Sequence, residues 1–275
     1  MSVGQSTTHH IDMRDDTVIK RYRSWDRREP EREWAALTLL AEHAPGLAPT
    51  PVQAALTADP PTIVMSRLPG VPLRGRRAKT EHLAAMATAL TRLHQAIPFH
   101  AVEALPAAAW HPAAAVAKVR MWADKKPDLG KDPRVSEAFA RGTAWLATTA
   151  PDELITNPLP PVLGLADGNL ANYLWDAATD QVRIIDWEDS GSSDRAFELA
   201  EVAEHISHID GHFDSDNLLA LLGLAPLEAI RVRDFRRLLA LGWFLMLGPD
   251  GPFASRNPPG ALQRQADRVL ALLDA

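Results

Sequence analysis

The chain has no cysteine. Disulfides and thiolate metal sites are therefore excluded, and the composition fits a reducing compartment, with the cytoplasm as the expected location. A long apolar run is also missing. The most hydrophobic stretch, Leu238 to Leu247, is too short to span a bilayer, and from the polar N-terminus no secretory signal is expected. No membrane association is expected. Nor is there a surplus of positive charge. The net charge of −6 argues against a general nucleic-acid binder, and a mildly acidic surface suits a cationic small molecule. What remains is ordinary globular material: 275 residues, 46 % apolar and 23 % charged. Chains of this size bury about 75 % of their unfolded surface, so one large core or two smaller ones is feasible.

The stretch from Gly164 to Asp194, GLADGNLANYLWDAATDQVRIIDWEDSGSSD, organises the rest. It reads as a loop, a strand from Asn172 to Trp175, a turn from Asp176 to Asp180 and a strand from Gln181 to Ile185. A turn centred between Ala178 and Thr179 places Asn172 opposite Ile185, so its side chain can approach Asp186. Asp167 lies five residues upstream, in the loop feeding the first strand. Three oxygen-bearing side chains then meet at one edge of a small sheet. A carboxylate and a carboxamide on a hairpin suit Mg2+, which waters and substrate phosphates usually complete. A further carboxylate beside them can take the proton of an attacking hydroxyl. Singly, Asp167 and Asn172 read as turn residues and Asp186 as a strand-end cap. Their joint spacing, followed by Trp187-Glu188 and by Asp194 before an apolar helix, is what points to chemistry.

A second pair of residues lies near the N-terminus. In Thr17 to Tyr22, the period of two puts Val18, Lys20 and Tyr22 on one strand face. A lysine there needs a partner unless it is simply exposed. Glu29-Pro30 starts a helix that runs to about Ala44, where Pro45-Gly46 stops it. On it Glu33 falls within the stripe formed by Leu37, Leu40 and Ala44. A buried acid is costly unless paired, and Lys20 is the natural partner; the alternative is a solvated Glu33 at the rim of the stripe.

The pattern D-x-x-x-x-N, a hairpin, then I-D-W-E resembles the catalytic core of the aminoglycoside phosphotransferase and choline kinase family, relatives of the protein kinases. The resemblance implies an α+β, bilobal, protein-kinase-like fold. Residues 1–68 would form a nucleotide-binding lobe with a small antiparallel sheet and one helix. Residues 69–275 would form a larger, mostly helical lobe carrying the catalytic hairpin and the acceptor site. It further implies Asp167 as catalytic base, Asn172 and Asp186 as Mg2+ ligands, and Lys20, held by Glu33, on the phosphates of ATP. In Met65-Ser66-Arg67-Leu68-Pro69-Gly70 it implies a hinge, with Met65 as gatekeeper and Ser66 and Leu68 offering backbone groups to the adenine. Gly4-Gln5-Ser6-Thr7 resembles the family's phosphate-covering turn. One departure stands out. The family's His-Gly before the catalytic Asp is Leu165-Ala166 here, and that His normally braces the loop.

Further strands are expected at Pro51 to Ala55 and Thr62 to Met65. Beyond Gly70 helices are expected at Thr80 to His94, with His94 packed at its end, and at Val116 to Trp122, Val135 to Thr148, Arg195 to Ile209, Arg231 to Leu247 and Pro259 to Leu273. On the Arg195 helix, Glu198, Glu201 and Glu204 read either as a solvated face or as an acidic wall for a cationic acceptor. The resulting expectation is an ATP-dependent phosphotransferase acting on a hydroxylated small molecule, cationic ones included, as a monomer or homodimer. An antibiotic is the first acceptor class and a metabolite such as an amino alcohol or sugar the second. A nucleotide-binding pseudokinase is one competitor. A hydrolase holding zinc through His205, His208, Asp210, His212 and Asp214 is another.

Overall fold

The computed structural model describes residues 9–249 and 251–275. The Gly4–Thr7 turn expected from the sequence lies outside them. Strands β1 (His10–Met13), β2 (Thr17–Arg21), β3 (Pro51–Ala55) and β4 (Thr62–Ser66) form an antiparallel sheet in the order β1-β2-β4-β3. Helix α1 (Glu29–His43) carries Pro30 in its first turn, where the ring costs no hydrogen bond, and packs against β3 and β4. Lys20 is paired in register with Ile11 on one side and Ile63 on the other.

Beyond Gly70 the chain is mostly helical. Strand β5 (Val71–Pro72) is followed by α2 (Thr80–Ala96), α3 (Phe99–Glu103), α4 (Pro112–Asp124), α5 (Pro133–Leu146) and α6 (Ala150–Thr156). Then come β6 (Val162–Gly164), the hairpin of β7 (Tyr173–Asp176) and β8 (Gln181–Ile184), and β9 (Gly191–Ser193). Helices α7 (Arg195–Glu204), α8 (Ser215–Leu221), α9 (Pro226–Met246) and α10 (Ala261–Asp274) complete it. Strand β7 is the centre of a three-stranded sheet, β5-β7-β8, and β6 pairs with β9. The expected mixed α+β class, with a small antiparallel sheet and a helical bulk, is what is observed.

One continuous apolar cluster runs from Tyr22, Leu37 and Ile63 through Tyr173 and Trp187 to Phe197, Phe235 and Phe244. Two links tie the segment around α1 to the chain beyond Gly70. The Ile184 amide donates to the Leu47 carbonyl at 2.8 Å. The Arg32 guanidinium on α1 donates to the Ala107 and Ser190 carbonyls at 2.7 and 3.0 Å.

The helix expected from Arg195 to Ile209 ends at Glu204 instead. His205 is extended (φ −62°, ψ 135°), its Nδ1 accepts the Ser207 amide, and a single 3-10 turn, Ile206–His208, follows. The side chain competes for a backbone donor and stops the helix, as local side-chain bonds do. Among the described residues no helix is long and apolar enough to cross a membrane.

Candidate active site

Lys20 is 4 % exposed and sits at the centre of a charged cluster. Its Nζ lies 2.7 Å from Glu33 Oε2, 2.6 Å from Asp186 Oδ1 and 2.6 Å from Glu188 Oε2. The buried Lys20–Glu33 pair expected from periodicity is therefore formed. The Tyr22 hydroxyl also donates to Glu33 Oε2, and the Trp187 amide approaches Glu33 Oε1 at 3.4 Å. Burial alone would lower the lysine's pKa, but the three carboxylates more than offset it and hold it well above the ordinary value. Burial and the same carboxylates push the Tyr22 phenol up, so it stays a donor. Glu188 is gripped from its other side by His9, Nε2 at 2.9 Å. Burial would raise Glu188, but His9 and Lys20 outweigh it and bring it down to about 2.

One ammonium and three carboxylates leave a formal charge of +1 − 3 = −2. The oxygens of Glu33, Asp186 and Glu188 lie within 4.8 Å of one another. Hard oxygen donors with excess negative charge fit a hard divalent cation. Asp186 closes the hairpin in the left-handed region, φ 68°, an uncommon conformation that clusters at functional sites. Desolvation and its acidic neighbours push it up to about 6 against the pull of Lys20. Because 43 % of the side chain stays exposed, water softens this rise and leaves an oxygen face open.

Asp167 forms the second centre. Its Oδ1 accepts the Asn169 amide at 3.0 Å and its Oδ2 accepts Asn172 Nδ2 at 2.9 Å. The Asn172 carbonyl accepts the Ile185 amide at 2.9 Å, so the predicted register is observed. Asn172 and Asp186 are thus carried on facing hairpin positions, and Asp167 is locked to the former. Lys20 contacts Glu33 and Asp186, Asp167 contacts Asn172, and the two sets are joined through the Asn172–Ile185 backbone bond.

The brace of the Asp167 loop comes from α7. The buried Glu198 carboxylate accepts the Leu165 and Ala166 amides at 2.9 and 3.0 Å on Oε2, and the Ser193 hydroxyl at 2.6 Å on Oε1. Burial raises this acid while those three donors pull it back. Ala166 adopts φ 62°, a left-handed turn that favours glycine. A Cβ on Gly168 would lie 2.3 Å from the Glu201 carbonyl oxygen, so only glycine fits where the loop meets α7. Glu201 itself is buried beneath the loop and accepts Trp110 Nε1–H at 3.3 Å. Burial, then Asp167 and Glu198, push it up to about 8. Glu204 is clasped by Arg236 and Arg268 at 2.6 Å each.

All three glutamates are at most 5 % exposed, so neither a solvated face nor an acidic wall is formed. Both sides of α7 are covered, by α8 and α9 in particular. The His205–Asp214 segment does not assemble as a metal site either. Among the described residues the potential metal-holding group is Glu33, Asp186 and Glu188. His208 Nε2 instead meets the Val202 carbonyl at 3.0 Å, and the Asp210 carboxylate accepts the His212 amide. His94 is packed at the end of α2, its ring nitrogens buried without partners among the described residues.

Ser66 ends β4, its amide donating to the Thr50 carbonyl and its Oγ accepting the Thr50 amide, both at 2.8 Å. Leu68 follows, half-buried, ahead of Pro69-Gly70. A Cβ on Gly70 would lie 2.9 Å from the Trp175 carbonyl, so this crossing also requires glycine.

Residues 5–239 match the model of the phosphotransferase enzyme family, APH. No curated protein matches the chain in sequence. Among solved structures, the fold is similar to the choline/ethanolamine kinase family protein from Mesorhizobium loti. The TM-score is 0.66 at 17 % identity, over 98 % of this chain and 86 % of that one. It is similar to APH(2")-IIia in its GDP and kanamycin complex, TM-score 0.64 and 16 % identity, over 100 % and 91 % of the two chains. It is also similar to spectinomycin phosphotransferase APH(9)-Ia in complex with ADP and spectinomycin, TM-score 0.61 and 13 % identity, over 100 % and 92 %. At such identities these likenesses establish the fold.

Proposed function

The chain belongs to the phosphotransferase enzyme family, and on that premise we propose that it moves the γ-phosphate of ATP to a hydroxyl of a small molecule. Residues 1–68 form the nucleotide lobe in this reading and residues 69–275 the catalytic and acceptor lobe. Lys20, oriented by Glu33, receives the phosphates, and the backbone of Ser66 and Leu68 receives the adenine. Asn172 and Asp186 would hold Mg2+, whose charge would screen the phosphates. Asp167 orients the acceptor hydroxyl and takes its proton late, since the transition state is loose and positioning dominates. An ATP donor is consistent with work in the cytoplasm.

The observation that carries this reading is a chain of links: Asp167 bonded to Asn172, Asn172 paired with the residue before Asp186, and Asp186 on Lys20. The Glu198 brace answers the concern raised by Leu165-Ala166, because the loop is held without the family's histidine. An antibiotic of the aminoglycoside type is the first acceptor class. A small metabolite such as an amino alcohol or sugar is the second, favoured by the burial of Glu198, Glu201 and Glu204.

The test is label transfer from γ-labelled Mg·ATP to a panel of aminoglycosides, amino alcohols and sugars. Label on an acceptor hydroxyl is the expected result. Nucleotide binding, read as a thermal shift, with no label moved to any acceptor would instead identify a binding protein without transfer activity.

A further inference from the structure

The turn after α7 grips the catalytic loop at two points. Ser207 Oγ accepts the Leu170 amide at 3.1 Å. His205 Nε2 stands 3.4 Å from Asp167 Oδ1. The tautomer of His205 follows from its other nitrogen. Nδ1 accepts the Ser207 amide at 3.1 Å, so in the neutral ring the proton sits on Nε2, the nitrogen beside Asp167. The ring is 9 % exposed and stands edge-on to Trp243, centroids 5.0 Å apart. Trp243 is in turn edge-on to Phe253. Burial keeps the imidazole neutral, down to about 4, against the pull of Asp167 and with His208 and Arg74 adding to the fall. A neutral imidazole with one tautomer and an aromatic backstop is thus placed beside the proposed base.

We propose that His205 is a positioning residue for Asp167, fixing the carboxylate from the α7 side. This rests on the role given to Asp167 above. Asn169 and His205 occupy the Oδ1 side and Asn172 holds Oδ2. The carboxylate is then clamped about its Cβ–Cγ axis, leaving a lone pair of Oδ2 for the acceptor hydroxyl. The 3.4 Å separation is longer than a direct N–H···O bond, as catalytic contacts often are before substrate binds, and in this reading it closes in the substrate complex. The chain lacks the loop histidine of its family at Leu165; a histidine from the following helix turn reaches the loop from another direction.

Two measurements test this. The first needs no turnover: 15N spectra of the imidazoles in the full chain. A neutral Nε2–H tautomer for His205, with Nε2 shifted in Asp167→Asn, is expected. The Nδ1–H tautomer, or an Nε2 signal indifferent to Asp167→Asn, would overturn the contact.

The second is kinetic, on the acceptor found by label transfer. His205→Phe keeps the ring against Trp243 and removes the donor. It is expected to lower kcat on the order of 10- to 100-fold, as small misplacements of catalytic groups do, with KM for ATP unchanged and a lower Tm from the Ser207 amide left without its acceptor. His205→Gln, whose amide can reach the Nε2 position, should restore most of the rate. A wild-type kcat in His205→Phe, or a parallel loss in His205→Gln and His205→Phe, refutes positioning by the N–H. If Asp167→Ala is as active as wild type, the role of Asp167 fails instead, and this inference with it.

Discussion

The two centres of the candidate site are built in opposite ways. Around Lys20 charge is concentrated, with one ammonium answering Glu33, Asp186 and Glu188 at 2.6 to 2.7 Å. Around Asp167 charge is withdrawn. Its neighbours are a carboxamide, a backbone amide, a neutral imidazole and a glutamic acid held protonated by burial. The first arrangement, with its excess negative charge, suits a divalent cation, through which phosphates could be held. The second suits a base whose single ionised oxygen pair must be aimed rather than neutralised. A substitution at the first should therefore cost stability and nucleotide affinity together, and one at the second should cost rate.

The sharpest way to break that contrast is Lys20→Met. Removing one partner of a buried ion cluster costs about 3–5 kcal/mol, read as a fall in the urea midpoint. Unchanged stability would mean that the cluster is solvated in solution.

Glu201 tests the other side through pH. Its pKa is raised in the folded state, from 4.5 to about 8. The native chain then holds a proton that the unfolded chain releases, so this group's stability is full below about pH 4.5 and is lost as pH climbs through 8. Each tenfold change in proton affinity is worth about 1.4 kcal/mol, so Glu201→Gln should gain on the order of 4 kcal/mol over wild type at about pH 8 and nothing at about pH 4. A flat difference across that range would show Glu201 ionised. Burial of His94, down to about 3, acts with the opposite sign, its contribution falling away as pH drops below 6.5.

Glu198→Ala strips acceptors from the Leu165 and Ala166 amides. Leaving buried donors unmet costs about 1–3 kcal/mol, together with a fall in turnover, in a urea melt run beside the label assay. Turnover at the wild-type level would show that the loop needs no brace. As a baseline, Arg134→Ala at the exposed Asp267 pair should cost no more than about 1 kcal/mol and leave both centres intact.

The Lys20 centre was legible in the sequence because regular elements carry it. A period of two in β2 and of about 3.6 in α1 suffices to turn Lys20 and Glu33 toward each other. The hairpin register likewise placed Asn172 opposite Ile185. The Asp167 surroundings were not legible in this way. Glu198, Glu201 and His205 reach the loop from a helix some thirty residues on, through backbone amides and burial that no spacing encodes. Amphipathic reading assumed one wet face for α7, whereas α8 and α9 cover it, and it ran the helix to Ile209 through a residue that ends it. A signal was present: three glutamates at every third position, beside a loop lacking its usual histidine. Glu188 was visible in the I-D-W-E motif, but its pairing with His9 depends on how β1 folds back.

The central claim, that Asp167 is the aimed base of a phosphoryl-transfer site whose nucleotide is held elsewhere, is tested most directly by Asp167→Ala. Turnover and the affinity for a nonhydrolysable ATP analogue are measured on the same preparation. The account predicts turnover lower by about 10² to 10⁴-fold with nucleotide affinity unchanged. Turnover at the wild-type level with the nucleotide still bound would contradict it.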